Sequence, residues 1–244
     1  MESIRIGCSG WNYRDWRGRF YPEKLPAKDW FAFYAETFDT VEINNSFYRL
    51  PKPETYRKWR DQAPDGFCYA VKASRYLTHN KKLKEPEQPL ELLIGNGRHL
   101  SDRLGPILYQ LPPGWKLNRE RLEYFLEQLP GDLTHVLEFR EPSWLTEKVL
   151  ELLDARGIGF CTHDMPGMEV PRRASGKAAY VRFHGPKQKY RGRYPDSVLQ
   201  GWADWMIAQA KGGRRVWAYF NNDIGGAAIH DALALRSMVG QAGR

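Results

Sequence analysis

Hydrophobic residues gather in eight short runs along the chain, and most of the runs end in polar or charged residues. The runs begin near Ile4, Phe38, Phe67, Pro106, Leu133, Ile158, Ala178 and Arg215. Most of the stretches between them have the apolar spacing of amphipathic helices. Eight strands alternating with helices predict a closed parallel (β/α)8 barrel, the TIM-type α/β fold, as a single domain over residues 1–244. In such a barrel the active site lies at the carboxyl ends of the strands.

The polar residues of each strand occupy every second position, which is called here one parity of the strand. In the second strand, Val41 and Ile43 alternate with Glu42 and Asn44. Since successive side chains point to opposite faces, the apolar parity is expected to pack under the helices and the other parity to line the lumen. Applied to every strand, this alternation predicts a polar cup at the carboxyl ends, lined by Glu42, Lys72, Gln110, Glu138, Arg140, Arg182, His184 and Asn221.

Two interpretations of this cup stay open. In the first, the charges form a ligand site, because unpaired charges inside a barrel are costly. In the second, they satisfy one another as ion pairs, with Glu42 and Glu138 facing Lys72, Arg140 and Arg182. The ligand-site hypothesis assigns catalysis to Glu42, Glu138, Lys72 and His184, and substrate binding to Trp11, Asn44, Gln110, Arg140, Arg182, Asn221, Gly225 and Gly226. The two glutamates would then act as base and acid, with His184 relaying a proton.

Loops that follow three of the strands favour a negatively charged ligand. Basic and aromatic residues mix after the third and seventh strands, which makes these loops candidates for nucleic-acid contacts through Arg75, Lys81, Lys189 and Arg191. After the eighth strand, Gly225 and Gly226 precede a helix, where barrels often bind phosphate. A solvated basic rim is the alternative. Trp11 and Tyr13, after the first strand, are expected either to form the wall of a planar ligand site or to cap the barrel.

Charge and cysteine content indicate the kind of partner and the cellular compartment. The net charge is +8, from 37 Lys and Arg against 29 Asp and Glu, which favours anionic partners. Three cysteines without metal-ligand spacing predict buried free thiols in a reducing cytoplasm. No apolar run approaches the roughly 20 residues of a membrane span. The first strand starts too close to Met1 for a cleavable signal peptide. We therefore expect a cytoplasmic protein with no membrane association and no obligate protein partner.

A metal-dependent enzyme, of the phosphoesterase or isomerase type, is a further alternative. Its available ligands are Glu42, Glu138, Asp164, His184 and His163. The neighbouring lysine and arginines would repel a divalent ion, and the chain has no compact metal-binding motif. No cofactor is therefore predicted, and a divalent metal is kept as the less favoured option.

A series of ordered segments along the chain matches the pattern of a known family. The segments are Gly7–Trp11, Val41–Tyr48 with Pro51, Val71–Ala73, Thr78–His79, Gln110–Pro113, Glu138–Arg140 before Pro142–Trp144, Arg182–Gly185 and Tyr219–Asn222. Through these segments, from Ile6 to roughly Leu235, the chain resembles the YecE-like proteins (DUF72), a TIM-barrel domain of unknown function. One departure is Glu141, where the family would have His. The resemblance implies the fold but no reaction, so three classes stay open: an acid–base enzyme for an anionic substrate, a nucleic-acid-binding module and a structural scaffold.

Overall fold

The protein is described by a computed structural model over residues 3–241, and its strands form the predicted closed barrel. Each strand pairs in parallel with its neighbour in sequence, and the ring closes between β1 and β8, where Ile4 aligns with Val216 and Cys8 with Phe220. Every strand begins within two residues of its predicted start. The strands are β1 (Ile4–Cys8), β2 (Thr40–Ile43), β3 (Cys68–Lys72), β4 (Leu104–Gln110), β5 (His135–Glu138), β6 (Gly159–His163), β7 (Ala178–Phe183) and β8 (Arg215–Phe220).

Helices connect most of the strands, as their apolar spacing predicts. They are α1 (Trp30–Thr37), α2 (Asn45–Tyr48), α3 (Pro53–Gln62), α4 (Glu87–Gly97), α5 (Arg119–Glu127), α6 (Glu147–Ala155), α7 (Asp196–Lys211) and α8 (Ala227–Gln241). The Asn118 side chain caps α5 by accepting from the backbone N–H of Arg121 at 2.9 Å. Residues 164–177, all of them described, join β6 to β7 without a helix. Within residues 3–241, no helix is long and apolar enough to cross a bilayer.

Strand β7 shows how the alternation of side chains places apolar and polar residues on opposite faces. Phe183 packs edge-on against Trp202 of α7, with ring centroids 5.3 Å apart. Tyr180 has the opposite parity and meets Tyr219 of β8 at 5.3 Å. Arg182 shares the parity of Tyr180 and is 1% exposed. On this strand the apolar parity therefore faces a helix and the polar parity faces other strands, as predicted. Cys8, Cys68 and Cys161 are buried free thiols, which confirms the prediction made for them.

The chain divides into two compact units. The first contains the residues up to Glu42, Thr162–Ala174 and the residues from Ala178 onward. The second contains Ile43–Cys161 and Ser175–Lys177. Each predicted site residue belongs to one of these units, and each unit is described by itself below.

Candidate functional site

Glu42 is the centre of a hydrogen-bond network in the first unit. Its Oε1 accepts from the Ser9 hydroxyl at 2.8 Å and from Arg182 through Nη2 at 2.8 Å and Nε at 3.2 Å. The Tyr180 hydroxyl donates to Oε2 at 2.7 Å. All four side chains are almost completely buried. A charge removed from water requires such partners, and every donor here points at the carboxylate. The contacts fit the ion-pair interpretation of this part of the cup.

A second carboxyl group of this unit, Asp223, lies in the loop after β8. Burial raises its pKa to about 8, and the negative charge of Glu42 adds to the shift. The Tyr13 hydroxyl and the positive charge of Arg182 act in the opposite direction. Within the described residues, the buried Oδ1 atom of Asp223 accepts no hydrogen bond. Asp223 is therefore a carboxyl group that exchanges its proton close to neutral pH.

His184, predicted to relay a proton, is buried directly after β7. Its backbone N–H donates to Oδ1 of Asp164 at 2.7 Å, and its ring Nδ1 lies 3.8 Å from the same oxygen. The Tyr194 hydroxyl donates to the other carboxylate oxygen of Asp164. The His163 ring stands nearly perpendicular to that of His184, at 5.9 Å. Across residues 3–241, no three His, Cys, Asp or Glu side chains are grouped so that they could hold a metal ion.

The glycine loop before α8 faces protein groups at the place predicted for phosphate. The backbone N–H of Gly226 donates to the Asp223 carbonyl at 2.9 Å. That of Gly225 points at the Asp15 carboxylate at 3.4 Å, while Arg19 donates to the Gly225 carbonyl at 2.6 Å. Both glycines have positive φ, 75° and 77°, which their lack of a side chain permits. Both amides therefore face oxygen atoms of the protein, and phosphate binding by Gly225 and Gly226 stays a prediction.

In the second unit, Glu138 ends β5 and pairs with Arg140. The Arg140 Nε donates to Oε1 of Glu138, and the Cys161 thiol lies 3.8 Å from Oε2. Glu138 is fully buried. Gln110 stands beside Glu138 in the register of β4 and β5, so its side chain begins at the same level of the sheet. This ion pair, like that of Glu42, fits the interpretation in which the charges satisfy one another.

Lys72, the last residue of β3, has a different environment. Its side chain is almost buried, and its Nζ lies 4.3 Å from the centroid of the Phe47 ring, within cation–π range. The His79 ring meets the same phenyl ring edge-on at 4.9 Å. The Ser46 hydroxyl donates to the Lys72 carbonyl at 2.6 Å and so fixes α2 against the end of β3. An ammonium group, an aromatic ring and an imidazole are therefore held together at the carboxyl end of this strand.

Positive charge concentrates around His79. Burial lowers the pKa of this imidazole to about 4, and the charges of Lys72 and Arg75 lower it further. Arg140 acts in the same direction, and the Glu138 carboxylate opposes them. The imidazole is therefore neutral at pH 7 and lies within the combined field of these cations and of Glu138. Its Nδ1 is 2.9 Å from the Thr78 hydroxyl, which orients the ring.

Three further residues predicted to bind substrate have structural contacts. Trp11 packs edge-on against Phe31 of α1 at 5.2 Å. Asn44 precedes α2, and its carbonyl accepts from the Phe47 N–H at 3.1 Å. Asn221 continues β8, with its N–H donating to the Phe183 carbonyl at 2.8 Å. These contacts place the three residues at strand ends, where the sequence expected them, and their roles toward a ligand stay predictions.

The four residues predicted to contact nucleic acid lie on surface loops. Arg75 is exposed, whereas Lys81 forms an ion pair with Glu85 at 3.0 Å. Lys189 and Arg191 are exposed on the loop after β7. The loops are thus basic and accessible, as the sequence indicates, and nucleic-acid binding by them stays a prediction.

Glu141, the departure from the family pattern, caps a short 3₁₀ helix over Pro142–Trp144. Its carboxylate accepts from the backbone N–H of Ser143 at 3.0 Å and from the hydroxyl of the same residue. An acidic side chain suits this position, because the first N–H groups of a helix lack partners within the helix. The residue therefore has a structural role in this chain.

Several residues of these clusters were not assigned to the site from the sequence, among them Tyr180, Ser9, His79 and Asp223. Tyr180 shares the parity of Arg182, so the alternation that identified the arginine could have identified it. Ser9 and His79 stand within the segments that carry the family resemblance, which was a usable signal. Asp223 lies in a loop without periodicity, and its pKa depends on burial that only the fold creates.

Comparisons with known proteins agree with the resemblance. A sequence model of the family described as "Protein of unknown function DUF72" matches residues 5–244. UPF0759 protein YunF of Bacillus subtilis is 27% identical over 270 residues, covering 97% of this chain and 94% of the relative. UPF0759 protein YecE of Escherichia coli is 30% identical over 126 residues, covering 51% and 46%. The crystal structure of a DUF72 family protein from Thermotoga maritima superposes with a TM-score of 0.88 at 27% identity, covering 97% of this chain and 99% of that one.

Proposed function

Because this chain belongs to the DUF72 family, whose description names no reaction, we propose a function from its own side chains. The protein is an enzyme that acts by acid–base chemistry on a small anionic, phosphorylated substrate. The substrate binds in the second unit, at the carboxyl ends of β3 and β5. We further place the enzyme in the cytoplasm, where its three buried thiols stay reduced.

One observation carries the proposal: the Lys72 ammonium and the His79 imidazole contact one phenyl ring, and the positive charges of Arg75 and Arg140 also act on that imidazole. Arg140 is largely neutralised by Glu138, with which it forms an ion pair. Lys72 and Arg75 add positive charge beside it, and the almost complete burial of Lys72 leaves its ammonium group weakly screened by water, so that an approaching anion is strongly attracted. An anionic ligand would gain strong, charge-assisted hydrogen bonds here.

The proton-transfer groups of the proposal are His79 and Glu138. A neutral imidazole accepts a proton on its unprotonated nitrogen, and the imidazolium that forms gives this proton back. The Thr78 hydroxyl holds the ring in place. The Glu138 carboxylate lies close enough to raise the pKa of that imidazole against the three cations. Proton transfer to or from the bound substrate requires both a site for the anion and such a pair.

Charged residues of the first unit have a different part in this proposal. Glu42 accepts four hydrogen bonds, two of them from Arg182, so this pair is satisfied by the protein itself. The pair therefore supports the barrel, and His184 is kept as a predicted proton relay beside Asp164.

The first test is calorimetric titration with inorganic phosphate and ribose 5-phosphate. Lys72→Met keeps the stem of the side chain against Phe47 and removes the ammonium group. A hydrogen bond to a charged group contributes about 1.5–3 kcal/mol, so both ligands should bind roughly 10- to 150-fold more weakly. Lys148→Met, which removes an exposed lysine of α6, is the matched control and should leave binding unchanged. Equal affinity in the wild type and in Lys72→Met, or no binding of either ligand, would overturn the proposal.

A second test addresses the chemistry. Once a phosphorylated substrate is turned over, His79→Gln should retain its binding, because the cations remain, and lose most of its turnover. Unchanged kcat in this variant would remove His79 from the mechanism.

A further inference from the structure

Lys72, Arg75 and Arg140, whose charges act on His79, are called here the cationic cluster. Two tyrosines beside this cluster are unusually exposed. Tyr48 is 81% exposed and Tyr76 is 55% exposed, the largest values among the big hydrophobic side chains of the described residues. Both belong to the second unit and follow the carboxyl ends of β2 and β3. A tyrosine ring gains free energy when another flat, apolar surface covers it. The position of these two rings therefore bears on what the neighbouring cations bind.

Tyr48 is joined to the cationic cluster through a chain of ring contacts. It ends α2, and its ring meets that of Phe47 at 5.2 Å with the planes nearly perpendicular, at 88°. The Phe47 ring in turn carries the Lys72 ammonium at 4.3 Å and the edge of His79 at 4.9 Å. A single phenyl ring thus separates the exposed Tyr48 ring from the ammonium group.

Tyr76 is joined to the same cluster through the backbone. Tyr76–Asn80 forms one turn of π-helix, which includes His79. Such turns are rare in proteins, and those that occur are often found at functional sites. Lys81 follows, with its Nζ 5.8 Å from the Tyr76 ring. The turn therefore presents an aromatic ring next to a cation, three residues before the imidazole.

We propose that the anionic ligand is a nucleoside phosphate. Its phosphate binds Lys72 and Arg75, and its base stacks on Tyr48 and Tyr76. This inference deepens the proposed function and rests on it. Stacking of a base on an aromatic side chain contributes about 1–3 kcal/mol, which corresponds to roughly 5- to 150-fold in affinity. A sugar phosphate has no aromatic ring to stack there and cannot gain this affinity.

The test compares adenosine 5′-monophosphate, ribose 5-phosphate and inorganic phosphate by calorimetric titration. The wild type should bind the nucleotide at least 5-fold more tightly than ribose 5-phosphate, the lower end of roughly 5- to 150-fold expected for stacking. Tyr48→Leu and Tyr76→Leu should each reduce that preference and leave the affinity for ribose 5-phosphate unchanged. Tyr124→Leu is the control, because Tyr124 is also exposed, at 46%, but lies on α5 beside Glu87. It should retain the full preference.

The outcomes separate this inference from the proposed function. If nucleotide and sugar phosphate bind equally well and both require Lys72, the nucleoside specificity is overturned and the anion site stands. If the preference survives in both tyrosine variants, stacking on these rings is overturned. If no phosphate compound binds, both proposals fail.

A last arm identifies the source of the nucleoside phosphate. A short 5′-phosphorylated oligonucleotide is titrated at two salt concentrations. Binding that is tighter than that of the mononucleotide and weakens steeply with salt supports the end of a nucleic-acid strand as the ligand. Binding no tighter than that of the mononucleotide supports a free nucleotide.

Discussion

Replacing Asp223 by Asn should change how the stability of the protein depends on pH. Burial raises the pKa of this carboxyl from its usual 3.8 to about 8 in the folded protein. Below about pH 4 the group is protonated in both the folded and the unfolded state and has no effect. Between pH 4 and 8 the unfolded chain releases its proton while the folded protein retains it. Folding therefore becomes less favourable as the pH rises, and the penalty is complete above about pH 8.

The size of the effect follows from the shift of about four pKa units. One unit corresponds to about 1.4 kcal/mol, which sets a ceiling of about 6 kcal/mol. Asp223 is partly exposed, and relaxation and water lower such penalties, so we expect about 3 kcal/mol. The uncharged amide that Asp223→Asn introduces has no such penalty. The stability of this variant relative to the wild type should rise by about 3 kcal/mol between pH 4.5 and pH 9.

Urea unfolding at several values of pH measures this difference directly. Asp204→Asn, which changes an exposed aspartate of α7, is the matched control and should show a difference that does not vary with pH. Other groups titrate over the same range, but they do so in all three proteins, so they cancel in the comparison. If the stability difference between Asp223→Asn and the wild type is the same at pH 4.5 and at pH 9, the raised pKa is wrong.

Three predictions concern the packing that supports the sites. Arg182→Met leaves a buried carboxylate without its cation and should lower the free energy of unfolding by about 3–5 kcal/mol in urea; a loss below about 1 kcal/mol would contradict a buried ion pair. Gly7→Ala places a Cβ atom 2.3 Å from the Thr40 carbonyl oxygen and should cost about 1–3 kcal/mol. Gly95→Ala, the control, places its Cβ atom in open space on α4 and should be neutral or stabilising by about 0.5–1 kcal/mol. Equal effects of the two substitutions in thermal unfolding would refute the close approach of Gly7 to Thr40. Asn118→Ala removes the cap of α5 and should cost about 0.5–2 kcal/mol; an unchanged melting temperature would show that the cap contributes nothing.

The sequence predicted the barrel because its signals are local. An apolar run, a change of period and a polar strand end are each contained in a few residues, so all eight strands were located to within two residues. Alternation also placed Tyr180 and Arg182 on the face opposite Phe183, since the parity of a strand does not depend on its neighbours.

The tertiary structure decided which arginine pairs with each of the two glutamates. Glu42 and Arg182 are 140 residues apart in sequence and form one ion pair, whereas Glu138 takes the arginine two residues away. Both glutamates had the same pattern in the sequence, and nothing in it distinguished a distant partner from a near one. The same holds for the pKa of Asp223, which is set by burial and by charges from other strands.

The sequence by itself therefore determined the architecture, the faces of the strands and the kinds of side chain at their carboxyl ends. The tertiary structure alone decided that the charges of Glu42 and Glu138 are paired within the protein. It also placed the π-helical turn that contains His79 within the field of Lys72, Arg75 and Arg140. The physical reason is range: hydrophobic periodicity acts over neighbouring residues, whereas electrostatic and desolvation energies depend on distances that only the folded chain fixes.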